Sequence, residues 1–288
     1  MKKTVIFACL LWSITSFSQT RLLIRCDDIG MSHAVNMAAQ ELISSGLTFS
    51  ASVMFCCPWY QEAVDLLKQH PQISVGIHLT LNAEWKNYRW GPVCGQAAAR
   101  SLVDSCGYFF PSRALFFSQG PKLKEVEKEL TAQVERAMAS GLKIDYLDYH
   151  MGTAVEKPEY RRIVEKLAAK YHLGISRYFG EQDAKSMYSV AVAEKSDSLV
   201  AILNGLPAGT YLLVCHIGRD TDELQAMIDL NPGAPAFMSR HRQAECNALL
   251  DARLRTVIGD RSIKLMTYRD LIDDFGLANM KSPVNNGY

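Results

Sequence analysis

Four groups of titratable residues stand at or near the ends of apolar runs in this chain. They are Asp27-Asp28 after RLLIRC, His78 within ISVGIHLTL, Asp148-Tyr149-His150 after KIDYL, and His216 after YLLVC. Two imidazoles and one carboxylate are a recurring ligand set of catalytic zinc, and they leave positions open for water and substrate. A metal held this way lowers the pKa of its bound water to about 7. A nearby carboxylate can then take the proton during attack, and a nearby imidazole can protonate a leaving amine. Consecutive strand residues point to opposite sides, so adjacent aspartates converge only where a strand bends into a loop. We assign Asp28 as a ligand, Asp27 as general base and His216 as general acid, with the metal stabilising the tetrahedral oxyanion. Asp148 is expected to orient a ligand histidine from behind. Gly30 permits the tight turn that follows.

These groups need a scaffold that brings strand ends to one rim. Short apolar runs alternate with amphipathic stretches along the chain. Strands are expected at Arg21 to Cys26, Phe49 to Phe55, Ile73 to Leu79, Lys143 to Asp148, Leu173 to Ser176, Thr210 to His216 and Ile263 to Met266. Between them, Ala34, Val35, Ala38, Ala39, Leu42 and Ile43 recur at helical spacing. Leu123, Val126, Leu130, Val134 and Met138 do the same, and further helices are expected from Pro58, from Pro158 and over Arg240 to Leu254. Fully apolar strands alternating with helices imply a parallel sheet covered on both faces. The fold class is α/β, a single-domain (β/α) barrel over 20–278, irregular and seven-stranded, with sites at the C-terminal strand ends. A loop over 82–120, rich in aromatic residues, is long enough to be functional. Within it Trp85 and Trp90 can either stack on sugar faces or pack the loop onto the barrel. Arg219 can bind a substrate carboxylate or phosphate, or pair with Asp220 or Asp222.

The chain has 288 residues, is 48% hydrophobic and carries a formal net charge of +1. That balance speaks against a nucleic-acid partner, which calls for a basic patch. Residues 1–18 read as a signal peptide, with Lys2 and Lys3 before a short apolar run and small residues at Ser16 and Ser18. The protein is therefore expected to be exported, periplasmic or extracellular, with no membrane span in the mature chain. Residues 279–288 read as a loose tail. Beyond Cys9 the remaining cysteines are odd in number, so they cannot all pair within one chain. Cys26, Cys56 and Cys215 read as buried thiols, and an oxidising compartment would allow Cys94 and Cys106 to bridge. A monomer and a homodimer both stay open.

The motifs resemble those of YdjC-like carbohydrate deacetylases of the ChbG/HpnK type, relatives of the polysaccharide deacetylases. RLLIRCDDIG at Arg21 to Gly30, with Ser32 and Val35-Asn36, resembles the first motif of that family. VGIHLTL at Val75 to Leu81, LDYH at Leu147 to His150 and VCH at Val214 to His216 resemble the next three, and Tyr268-Arg269-Asp270 resembles a C-terminal one. The resemblance implies a barrel-like fold, a divalent metal on Asp28, His78 and His150, Asp27 as base, and deacetylation of N-acetylglucosamine units. Zinc is the expected ion from the donor types, with magnesium as the alternative. The sequence departs from the family at Ile29, at Met151, Gly152 and Thr153, and at Ile217, positions that shape the pocket. Another metal-dependent amide or phosphoester hydrolase, or a non-catalytic sugar-binding protein, are the competing readings.

Overall fold

The computed structural model describes residues 19–283; the expected signal peptide and the end of the tail lie outside them. In chain order the elements are β1 (Thr20–Ile29), α1 (His33–Ser44), β2 (Ser50–Val53), α2 (Tyr60–Lys68), β3 (Ser74–Leu79), α3 (Arg113–Ser118), α4 (Leu123–Ala139), β4 (Ile144–Tyr149) and α5 (Pro158–Tyr171). They continue with β5 (Gly174–Ile175), β6 (Gln182–Asp183), α6 (Lys195–Gly205), β7 (Gly209–Cys215), α7 (Asp222–Gln225), α8 (Met238–Leu250), α9 (Ala252–Asp260), β8 (Lys264–Met266) and α10 (Tyr268–Phe275). Seven strands form one parallel run in the order β5-β4-β3-β2-β1-β7-β6, and β8 joins as an eighth against β1. β5 and β6 end the run of a sheet that curls into a half-barrel surrounded by helices. No described helix is long and apolar enough to cross a membrane.

β1 is the central strand, and its sequence explains why. Leu22, Ile24 and Cys26 pack outward beneath the helices, while Leu23 packs inward among Tyr146, Leu212, Met266 and Tyr268. Alternation then puts Arg25 and Asp27 on the inward side with Leu23. Burial of both faces requires apolar residues throughout, so a charged pair inside β1 must find partners within the barrel.

Much of the lower interior is filled from the C-terminal end. Thr267 and Asp270 form a capping box that starts α10, the arrangement that satisfies two free N–H groups at once. Tyr268 is fully buried and lies 4.2 Å from the Tyr146 ring. Arg269 meets both oxygens of Asp145, the closest contact being 2.9 Å. The Tyr268-Arg269-Asp270 motif is thus a plug for the barrel floor. Gly76 leaves room for this stack, since a Cβ there would stand 2.3 Å from the Tyr146 ring. Tyr146 cannot retreat, being held by Tyr268 and by a 2.8 Å hydrogen bond with Ser52. Gly76→Ala is expected to destabilise the fold by about 2–3 kcal/mol, a Tm loss of roughly 3–5 °C at this chain length. Thermal unfolding checks this, and an unchanged Tm would show that the stack can move.

Several boundaries differ from the sequence expectation. The helix expected over Arg240 to Leu254 is two helices, because Asp251 adopts extended backbone and caps α9 by accepting from Arg253 N–H at 2.9 Å. β6 is a two-residue exposed strand and carries no apolar signature. Cys94 and Cys106 are free thiols, as are the other described cysteines. The long loop is pinned down: Ala83 N–H donates to Phe110 O at 3.1 Å, and Val93 and Cys94 N–H donate to Glu129 of α4 at 3.0 and 2.9 Å.

Candidate metal centre and catalytic rim

The bend at the end of β1 resolves the problem of two adjacent aspartates. Asp28 has a left-handed backbone, φ 64°, and the pairing of β1 with β2 shifts register between Cys26 and Ile29. The break in alternation lets both carboxylates face the barrel mouth. Asn36 of α1 accepts from Gly30 N–H at 2.8 Å and stabilises the turn.

Asp28, His78 and His150 converge as expected. The distances Asp28 Oδ1 to His78 Nε2, Asp28 Oδ1 to His150 Nδ1, and His150 Nδ1 to His78 Nε2 are each 3.3 Å. A tetrahedral ion with bonds of about 2.0–2.1 Å to such donors spans ligand–ligand edges of about 3.3 Å. Asp28 Oδ1 is buried without a hydrogen-bond partner, the state of an oxygen waiting for a cation. The residues therefore fit a metal.

Each imidazole is backed by a carboxylate. His78 Nδ1–H donates to Asp148 Oδ2 at 3.0 Å, and His150 Nε2–H donates to Glu84 Oε2 at 2.9 Å. Such partners fix the tautomer and turn the other nitrogen toward the ion. Asp148 thus stands behind His78 as its hydrogen-bond partner. Glu84 was not singled out from sequence; it stands in the long loop with no pattern around it. Arg242, from α8, was missed as well, and its Nη2 donates to Asp28 Oδ2 at 2.6 Å.

Asp27 is clamped by Arg25, two residues earlier on the same side of β1. Arg25 Nε and Nη2 donate to its two oxygens at 2.6 and 2.7 Å, and Nη1 donates to Ser176 Oγ at 2.7 Å. Ser176 in turn bonds Tyr268 at 2.6 Å, which joins Asp27 to the floor plug through Arg25. Burial opposes the Asp27 charge, but Arg25, His78 and His216 outweigh it and hold the carboxyl below its ordinary range. Oxygen and nitrogen atoms of Asp27, His78 and Asp148 lie within 4.8 Å of one another, so Asp27 borders the metal triangle. Since Arg25 occupies this second cluster, it is a poor cation site. His216 N–H donates to Glu245 Oε2 at 2.7 Å, its Nδ1 is buried without a partner, and its ring meets Tyr188 edge-on at 5.5 Å. A cavity of about 310 Å³ lies against Arg25, Asp27, Tyr149, Met151 and Gly152, which places Met151 and Gly152 beside Asp27.

The remaining expected residues sit differently. Trp85 and Trp90 are buried. Trp85 lies under the Arg242 guanidinium at 5.5 Å, and Trp90 donates from Nε1 to Asn82 O at 2.8 Å with its ring 6.3 Å from His150. Both rings pack the loop onto the site, and neither leaves a face for a sugar. Arg219 pairs with Glu41 of α1, not with Asp220 or Asp222.

Burial would lower the His78 pKa, but Asp148 and Asp27 outweigh it and push it up to about 10; His150 is raised too, burial being outweighed by Glu84 and Asp28. These carboxylates thus favour the charged form of both rings. For His78 that contribution to stability is complete below the ordinary imidazole pKa of about 6.5 and is lost as pH rises through about 10. A metal needs the neutral ring, so binding must release protons. Zinc affinity is expected to tighten about tenfold or more between pH 6 and 8. Calorimetry in buffers of different ionisation enthalpy would show the released protons, and a pH-independent affinity would contradict the assignment.

The fold and this rim define an α/β barrel with an Asp-His-His group at the strand ends that could hold a metal ion. The chain belongs to the YdjC-like protein family, which it matches over residues 21–260. It is 29% identical over 267 residues to a carbohydrate deacetylase of Brevibacillus brevis, covering 87% of this chain and 99% of the relative. A carbohydrate deacetylase of Geobacillus stearothermophilus is 28% identical over 260 residues, covering 86% and 96%. In structure, the chain resembles a protein of Enterococcus faecalis described as a cellobiose-phosphate cleavage protein. The TM-score is 0.72 at 23% identity, over 88% of this chain and 99% of that one.

Proposed function

We propose that this protein removes acetyl groups from N-acetylated sugars, mono- or oligosaccharides containing N-acetylglucosamine, as an exported hydrolase. The observation that carries the reading is the 3.3 Å triangle of Asp28, His78 and His150 around an unpartnered carboxylate oxygen. The carbohydrate deacetylases among its relatives support the substrate class. Two nitrogens and one oxygen suit zinc, whereas magnesium prefers oxygen alone. When bound, the ion polarises the acetyl carbonyl and acidifies water.

The chain's own groups do the rest. Asp27, kept ionised by Arg25, takes the proton of the attacking water. His216, which follows β7, the strand paired with β1, and so stands beside Asp27, gives a proton to the departing sugar nitrogen, so the amine leaves neutral. Asp148 and Glu84 keep the two ligand imidazoles turned inward. Acetate release from N-acetylglucosamine and its oligomers, measured with and without chelator, tests this. Release that stops with chelator and returns with zinc is expected. Phosphate release from sugar phosphates with no acetate from any acetylated sugar would overturn it.

A further inference from the structure

We propose that Arg242 restricts Asp28 to a one-oxygen metal ligand and so keeps the ion more open and more electron-poor than a free carboxylate would. This rests on the reading of Asp28, His78 and His150 as the metal site. The two oxygens of Asp28 have separate tasks. Oδ1 faces both histidine nitrogens at 3.3 Å and has no hydrogen-bond partner, while Oδ2 takes the 2.6 Å bond from Arg242 Nη2. A charge-assisted bond of that length is among the strong ones. Oδ2 cannot turn to the ion without leaving a buried guanidinium charge unpaired, which is costly.

Arg242 is itself expensive to keep. It is 3% exposed, and its Nε and Nη1 have no partner among the described residues. Unmet buried donors cost free energy, so a purely structural cation would have been better placed elsewhere. Two contacts hold it in place beside Asp28. Its guanidinium lies over the Trp85 ring at 5.5 Å, a cation–π arrangement. The strap carrying Trp85 is fastened by Lys86 N–H to Ile228 O and by Leu230 N–H to Glu84 O, both at 2.8 Å. Three residues along α8, on the same face, Glu245 accepts from His216 N–H at 2.7 Å and from Lys195 Nζ at 3.0 Å. One helix face thus positions the metal-ligand aspartate and the strand end that bears His216. Arg242 is a positioning residue that acts through Asp28.

Cobalt(II) reports the number of ligands, because its visible absorption weakens as the coordination number rises. Arg242→Gln removes the charge and frees Oδ2 to join the ion, whereas Arg242→Lys keeps a cation. At one cobalt per chain, the Gln variant is expected to lose at least about half of the wild-type absorptivity, with the Lys variant close to wild type. Equal absorptivity in the Gln variant and wild type would overturn the proposal. If circular dichroism shows that the Gln variant does not fold, Arg242→Met, which keeps volume over Trp85, replaces it with the same expected loss. Wild-type protein that binds no cobalt would instead sink the metal-site reading itself.

Discussion

Asp28→Ala protein is expected to purify with almost no metal and to lose at least about a thousandfold in kcat/KM, roughly 4 kcal/mol of transition-state stabilisation. Asp28 Oδ1 is the carboxylate corner of the triangle, and removing it leaves two imidazoles that each have a protonating carboxylate behind them. Both rings are already biased toward the protonated state, so little would then favour the cation over the proton. The substitution also strands Arg242, which donates to Asp28 Oδ2 from a buried position. An orphaned buried charge costs about 3–5 kcal/mol, so the variant should unfold at lower temperature as well. Asp28→Asn separates the two effects, since the amide keeps an acceptor for Arg242 but is a weaker metal ligand. Metal content measured beside kcat/KM and Tm checks this. Full metal content in Asp28→Ala would show that the ion sits elsewhere.

Asp27→Asn is expected to behave in the opposite way toward metal. It should retain one ion per chain, bind substrate with little change in KM, and lose about 10²–10⁴ in kcat, the usual worth of a positioned base. Asp27 lies beside the triangle and is not one of its corners. Its role depends on Arg25, whose two contacts at 2.6 and 2.7 Å orient the carboxylate and keep it ionised. Asparagine keeps one acceptor for that guanidinium and removes the basicity. The wild-type acid limb should follow protonation of the site, with Asp27 charged well into the acid range because its pKa is depressed. A variant with full kcat would assign the base to another residue, and one without metal would make Asp27 a ligand.

The parts of this account that were legible in sequence share a physical cause. β1 could be read because a strand buried on both faces must be apolar at almost every position, and the Asp pair stands out where that run ends. His78, Asp148 and His150 were legible for the same reason. Arg25 carried a signal that went unused: a lone cation on the same strand face as Asp27, two residues before it. Glu84 and Arg242 carried none. They lie 66 residues from His150 and 214 from Asp28, and no periodicity connects a loop glutamate or a helix arginine to a distant strand end. Trp85 and Trp90 look alike as surface platforms and as buried packing, and only the folded loop distinguishes the two. Asp251 carried another signal that went unused: a capping residue inside an otherwise helical stretch, at the point where α8 gives way to α9.

Every step proposed above depends on one cation binding among Asp28, His78 and His150. Crystals soaked in zinc and measured at the zinc absorption edge test it most directly. One strong anomalous peak is expected within about 2.0–2.2 Å of Asp28 Oδ1, His78 Nε2 and His150 Nδ1. Saturating zinc that leaves that point empty, or that gathers on a different set of side chains, would contradict the account.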